Sequence, residues 1–176
     1  MARSASEVVS VFGSYDPPEG SAEYGTARAV GAKLAALGYT VANGGYGGTM
    51  AASARGAKEA GGETIAVPCR IWNTSVNLYT DRCVQTDSLE ERIAKLIELG
   101  TGGYVVLPGA TGTLLELAAV WERMAKGIIV YRPLVCVGAF WRPLIEMMTA
   151  VRPEAGRCVA LAEGPGQLGE YFPPRR

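Results

Sequence analysis

The stretch YVVLPGATGTLLELAAV, residues 104–120, decides the fold. Residues 104–107 form a short apolar run closed by Pro108, with the length and β-branched content of a buried strand. Residues 108–113 hold two glycines and two threonines, a turn composition, and from about Gly112 to Lys126 apolar residues recur at helical spacing. Strand, glycine turn and helix in immediate succession are the core of a β-α-β unit.

The same alternation extends in both directions. Upstream, residues 8–12 read as a strand ending in Gly13-Ser14, residues 21–37 as a helix stopped by Gly38, and residues 39–42 as a second strand. A glycine-rich turn at 43–48 leads to an alanine-rich helix at 49–60 and a third strand at 64–67. An irregular segment holding Pro68, Trp72 and Asn77 is followed by a short strand near Cys83. Ser88 and Glu91 then have capping-box spacing for a helix running to Leu99. Downstream, residues 134–137 and 143–150 repeat the strand and helix. The pattern predicts a single-domain, Rossmann-like α/β fold with a parallel sheet and helices on both faces. That domain is expected to span residues 1–176, with loose ends at 1–6 and at 173–176, the latter holding Pro-Pro-Arg-Arg. In such sheets ligands bind beyond the carboxyl ends of the strands, where Gly13, residues 43–48 and residues 108–113 should meet.

Composition narrows the chemistry. The 176 residues are 48% apolar with a formal net charge of zero, which favours neither nucleic acid nor a membrane surface as partner. No apolar run approaches the ~18 residues of a membrane span, and MARSASE lacks the apolar centre of a signal peptide, so the expected location is the cytoplasm. Cys69, Cys83, Cys136 and Cys158 are widely spaced and suggest neither a metal site nor a redox pair. There is no histidine. Its absence removes Ser-His-Asp and Cys-His nucleophiles and leaves carboxylates, lysine, tyrosine or cysteine for acid-base work.

Backbone N–H groups of the loop from Gly109 through Thr111 to Thr113, with a helix N-terminus behind them, suit an anion, and Thr113 adds a hydroxyl. A plain tight turn fits the same residues. The second loop, NGGYGGTM, does not complete G-x-G-x-x-G because Met50 stands at the third glycine position. No acid ends the second strand, so a nicotinamide dinucleotide is disfavoured. Glu116 lies three residues after Thr113, on the same helix face, and should look back toward the glycine loop. A carboxylate there suits a sugar hydroxyl, an attacking water or a developing positive centre, as at a glycosidic carbon. Periodicity alone favours a plainer reading, a helix N-terminal glutamate beside a buried stripe of Leu114, Leu117, Ala118 and Trp121. Arg92 is read as lying opposite the stripe of Leu89, Ile93, Leu96 and Ile97, ordinarily a solvated position. The functional alternative is a guanidinium that reaches a phosphate or sugar oxygen, across a subunit interface if need be.

These residues together resemble the LOG-like family, long labelled "possible lysine decarboxylases", whose characterised members are cytokinin riboside 5′-monophosphate phosphoribohydrolases. The family's P-G-G-x-G-T-x-x-E corresponds to Pro108-Gly109-Ala110-Thr111-Gly112-Thr113-Leu114-Leu115-Glu116. Its G-G-G-x-x-G-x-M corresponds to Asn43-Gly44-Gly45-Tyr46-Gly47-Gly48-Thr49-Met50, the opening strand and Gly13-Ser14 resemble its F-x-G-S start, and Glu91-Arg92 is similar to its E-R-K helix. The resemblance implies that Gly112 and Thr113 hold a nucleotide 5′-phosphate and that Gly44, Gly45 and Gly48 shape the pocket, with Gly13, Ser14, Met50, Gly109 and Thr111 also binding the nucleotide and Arg92 and Glu116 catalytic. It implies an AMP-like substrate, no metal or organic cofactor, and a homodimer or higher homo-oligomer. The chain departs from the family at Ala110, Leu115, Ile93 and Asn43, where the family has a glycine, an acid, a lysine and a glycine.

The expected function is hydrolysis of the N-glycosidic bond of a purine nucleoside 5′-monophosphate, N6-substituted adenine included. The alternative is a noncatalytic binder of a phosphorylated nucleotide or pterin, similar to the molybdenum-cofactor carriers that share the fold. Decarboxylation is disfavoured: it normally needs pyridoxal phosphate on a lysine, and Lys33, Lys58, Lys95 and Lys126 all fall in helical contexts away from the glycine loops.

Overall fold

The computed structural model describes residues 7–175. Strands β1 (Val8–Phe12), β2 (Thr40–Asn43), β3 (Thr64–Ala66), β4 (Arg82–Cys83), β5 (Gly103–Val106), β6 (Leu134–Val137) and β7 (Ala160–Ala162) form one parallel sheet in the order β4-β3-β2-β1-β5-β6-β7. Helices α1 (Ala22–Ala36), α2 (Gly48–Glu59), α3 (Leu89–Leu99), α4 (Thr111–Ala125), α5 (Arg142–Val151) and α6 (Leu168–Tyr171) connect or follow the strands. This is the Rossmann-like α/β architecture expected from the alternation. The closing β7 and α6 were not anticipated.

Strand alternation divides the core in two. Val9, Val11, Val105, Leu107, Val135 and Val137 face Ala27, Val30 and Leu34 of α1 and Ala52 and Ala57 of α2. Phe12, Tyr104, Val106, Leu134 and Cys136 point to the other side, against Leu96 of α3, Leu117 and Val120 of α4 and Ile145 of α5. Successive strand residues point to opposite faces, so strands buried on both sides read as nearly continuous apolar runs, as in β5 and β6. Ser10 is the polar exception in β1; its hydroxyl donates to the Leu96 carbonyl at 2.6 Å and ties the central strand to α3.

Helix ends follow their local signals. Ser21 caps α1 by accepting from the Tyr24 N–H, and a pair of bonds from Gly38 to Ala35 and from Tyr39 to Leu34 closes it. Ser88 accepts from the Glu91 N–H at α3, while the Glu91 carboxylate accepts from Asp87 rather than from Ser88.

Three expectations need correction. The stripe on α4 is Thr113, Glu116, Leu117, Val120, Trp121 and Met124, with Ala118 exposed and Leu114 only half-buried, because the helix is rotated to carry Glu116 inward. Arg92 is buried in the face of α3 that packs on the sheet: it lies three residues after Leu89 and four before Leu96, which puts it on their side of the helix. Residues 173–175 are not loose. The Arg175 N–H donates to the Leu37 carbonyl at 2.7 Å, Tyr39 Oη donates to the Pro173 carbonyl at 2.9 Å, and the Arg175 guanidinium pairs with Glu7 at 2.7 Å. The expectation for residues 1–6 lies outside the described residues.

Candidate functional site

The strand order reverses between β1 and β5, so the chain leaves these neighbours in opposite directions and opens a crevice at their carboxyl ends. The Leu107 N–H donates to the Phe12 carbonyl at 2.9 Å, carrying the pairing to the base of both loops. A cleft of about 430 Å³ opens there. Of the expected site residues, Gly13, Ser14, Met50, Arg92, Gly112, Thr113 and Glu116 line it. Gly44, Gly45, Gly48 and Gly109 lie behind that lining, and Thr111 is exposed at the start of α4, outside it.

The β1 loop is strapped to α2, since the Ser14 carbonyl accepts both the N–H and the hydroxyl of Thr49, at 2.9 and 3.0 Å. Gly48 turns with φ +60°, and a Cβ on it would strike the backbone of Ser14 and Tyr15, so the close approach of these loops requires glycine. Asn43, at the family's glycine position, braces the loop from below. Its side-chain N–H donates to the Met50 carbonyl at 3.0 Å and to Ser53 Oγ at 3.1 Å, and its Oδ1 accepts from the Gly45 N–H at 2.8 Å. Ala110 has φ −91° and projects into solvent, so this position does not need glycine here. Ile93 replaces the family's lysine as a core residue, and Leu115 is exposed. Helices α2 and α4 both begin without a side-chain cap, at Gly47 and Ala110, and Ala110, Gly112 and Thr113 face the cleft. The start of α4 therefore presents positive potential to an anion.

Arg92 and Glu116 meet at the back. Nη1 of Arg92 donates to Glu116 Oε1 at 3.2 Å, and the two side chains are 8% and 9% exposed. Nε of Arg92 donates to the Val67 carbonyl at 3.0 Å, and Nη2 faces Met50 Sδ at 3.9 Å. A Cβ on Gly44 would overlap Nη2, so that glycine makes room for the guanidinium. The Tyr46 and Trp72 rings lie 5.8 and 5.3 Å from Arg92 Cζ. Tyr46 Oη donates to the Cys69 carbonyl at 3.1 Å and accepts from its N–H at 2.8 Å, which holds the glycine loop to the chain after β3. Burial raises the Glu116 carboxyl to about 7, against the opposing pull of the Arg92 charge and hydrogen bond. The site thus holds a carboxyl that changes charge near neutrality, beside a fixed cation.

Sequence reasoning missed Tyr15, Asp16, Tyr46, Trp72 and Thr74, which complete the lining. Tyr15 and Asp16 directly follow Gly13-Ser14, a usable signal; Trp72 sits in an irregular segment with none. Among the described residues no lysine lines the cleft, and Lys58, Lys95 and Lys126 pair with Asp81, Glu98 and Glu122. No helix among the described residues is long and apolar enough to cross a membrane.

A parallel Rossmann-like sheet whose switch point carries this glycine-loop cleft places the chain in the LOG-like class. More particularly, it belongs to the SLOG cluster4 family, whose model matches residues 6–165. It is similar to the cytokinin riboside 5′-monophosphate phosphoribohydrolase of Mycobacterium tuberculosis, with 34% identity over 98 residues, 54% of this chain and 52% of the relative. The protein of the same name from Mycobacterium marinum is 35% identical over 105 residues, 58% of this chain and 56% of the relative. The chain thus spans about half the length of these curated relatives. Among solved structures, the molybdenum cofactor carrier protein of Chlamydomonas reinhardtii superposes with a TM-score of 0.71 at 21% identity, over 93% of each chain. The molybdenum cofactor binding protein of Rippkaea orientalis gives 0.74 at 21% identity, over 94% of each. At that identity the likeness is one of fold.

Proposed function

We propose that the protein hydrolyses the N-glycosidic bond of a purine nucleoside 5′-monophosphate, releasing free base and ribose 5-phosphate. The observation that carries this reading is the buried Arg92–Glu116 pair, set beside the uncapped start of α4. The 5′-phosphate takes the N–H groups around Gly112 and Thr113, with the Thr113 hydroxyl adding a bond, and the glycosidic carbon then faces Glu116. As the bond from carbon to base nitrogen breaks, the ribose gains oxocarbenium character and the ionised carboxylate stabilises it. The departing base takes up a proton from solvent at its nitrogen, water adds at the sugar carbon, and the proton that water sheds through the carboxylate or solvent closes the balance. Arg92 opposes the effect of burial, so that a useful share of Glu116 is ionised at neutral pH. The two similar phosphoribohydrolases support the reaction class.

Release of adenine and ribose 5-phosphate from AMP and N6-substituted AMPs tests the reading, with Glu116→Gln as the control. The wild type should cleave, and the variant should be slower by about 10²-fold or more while still binding AMP. A second reading, a binder that holds a phosphorylated nucleotide or pterin without cleaving it, is favoured by Ile93 and Leu115, which stand where the family carries a lysine and an acid. AMP binding without product in the same assay would select it.

A further inference from the structure

We propose that Trp72 is the platform on which the substrate's base stacks, with Tyr15 on the facing loop as the second wall. This inference rests on the nucleotide reading above. Trp72 ends a short 3₁₀ turn (Arg70–Trp72) after β3 and lines the cleft while remaining 39% exposed. An exposed indole is ordinarily free to change rotamer, but this one is held. The Arg92 guanidinium lies 5.3 Å from its ring, and Tyr46 meets it edge-on, centroids 6.0 Å apart at 82°. Tyr46 is in turn anchored at both ends of Cys69. Trp72 is therefore preorganised, and a ligand that covers it loses little side-chain entropy in doing so.

Position decides what that ligand part is. One guanidinium separates the Glu116 carboxylate from the indole, since Arg92 touches both. A planar ring bonded to a sugar carbon beside Glu116 extends toward Trp72, whereas the phosphate end points away to the start of α4. Tyr15 is 60% exposed on the loop after β1, with its ring against Gly47, where a side chain would crowd it. Both aromatics line the same cleft. Stacking accepts any base with a π-face. Trp72 and Tyr15 thus make the site one for planar-base nucleotides.

The test compares AMP, N6-substituted AMP and ribose 5-phosphate, which lacks the base, by calorimetry on Glu116→Gln protein with and without Trp72→Ala. AMP affinity should fall about tenfold or more on removing the indole, as expected for loss of one stacked base, while ribose 5-phosphate affinity is unchanged. Trp72→Phe should retain most AMP affinity. Equal losses for AMP and ribose 5-phosphate, or no loss for AMP, would overturn the platform. So would wild-type cleavage of AMP with a KM indifferent to Trp72→Ala, a result that leaves the hydrolase reading standing. Trp72-dependent AMP binding to a wild type that releases no adenine supports the platform and sinks the hydrolase. Binding of neither compound overturns both.

Discussion

Glu116 is the residue whose charge state the protein sets most visibly, and the sign of its effect on stability follows. Its ordinary value is 4.5, and burial lifts it to about 7, so between these pH values the folded protein holds a proton that the unfolded chain has released. Stability from this group is full below about pH 4.5 and is lost as pH rises through 7, by an amount on the order of 3 kcal/mol. Thermal unfolding from pH 4.5 to 8 should show the wild type losing stability relative to Glu116→Gln, which keeps an uncharged side chain throughout. A constant difference would mean that the carboxyl is not raised. On the proposed hydrolase reading activity runs the other way, because the carboxylate is the form that stabilises the oxocarbenium-like ribose: kcat/KM should climb with pH toward a plateau above about 7. Gly44 gives a second residue-scale prediction. A methyl there overlaps Arg92 Nη2, so Gly44→Ala should displace the guanidinium and lower kcat by about 10²-fold or more, with circular dichroism unchanged.

At the scale of elements, α1 and α2 pack backbone to backbone. A Cβ on Gly31 would overlap the Ser53 carbonyl, and one on Gly56 would overlap that of Arg28, so each helix supplies the gap that the other fills. Gly31→Ala should cost about 1–3 kcal/mol in thermal or denaturant unfolding, as overpacking does in a close-packed core. Because α2 carries Thr49 and Met50, the same variant should raise KM for AMP; an unchanged melting temperature would show that the helices can part freely. The element boundaries follow from turn chemistry, since glycine and serine sit where helices stop and start. The direction in which a helix presents its polar residues was harder to read. Arg92 has the spacing of a buried position on α3, and its charge led to the opposite expectation. Burying an arginine is costly unless its charge and nitrogens find partners, and here Val67, Glu116 and Met50 each accept from one nitrogen while the Tyr46 and Trp72 rings lie beside the charge, all from other segments.

Across the whole molecule, the parallel sheet separates the fastened carboxyl-terminal residues from the candidate site. The cleft lies at the carboxyl edge, between the ends of β1 and β5, whereas residues 173–175 are tied to Leu37 and Tyr39 just ahead of β2, at the amino edge. Deleting residues 173–176 should remove about 1–3 kcal/mol of stability, the scale of the hydrogen bonds lost, and leave AMP cleavage unchanged. A loss of activity at temperatures where the truncated chain stays folded would show that the two edges are coupled. Sequence by itself determined the strand-helix alternation, the parallel sheet and the loops that meet at its carboxyl edge. Glycine turns, apolar periodicity and caps are written within a few neighbouring residues, so these features are local. Tertiary structure alone decided that Arg92 and Glu116 turn inward to face each other, that Tyr46 and Trp72 close over the guanidinium, and that the carboxyl-terminal residues are fastened down. The burial of a charge depends on what distant segments bring to it, and strand order, absent from any short stretch of the chain, sets which segments arrive.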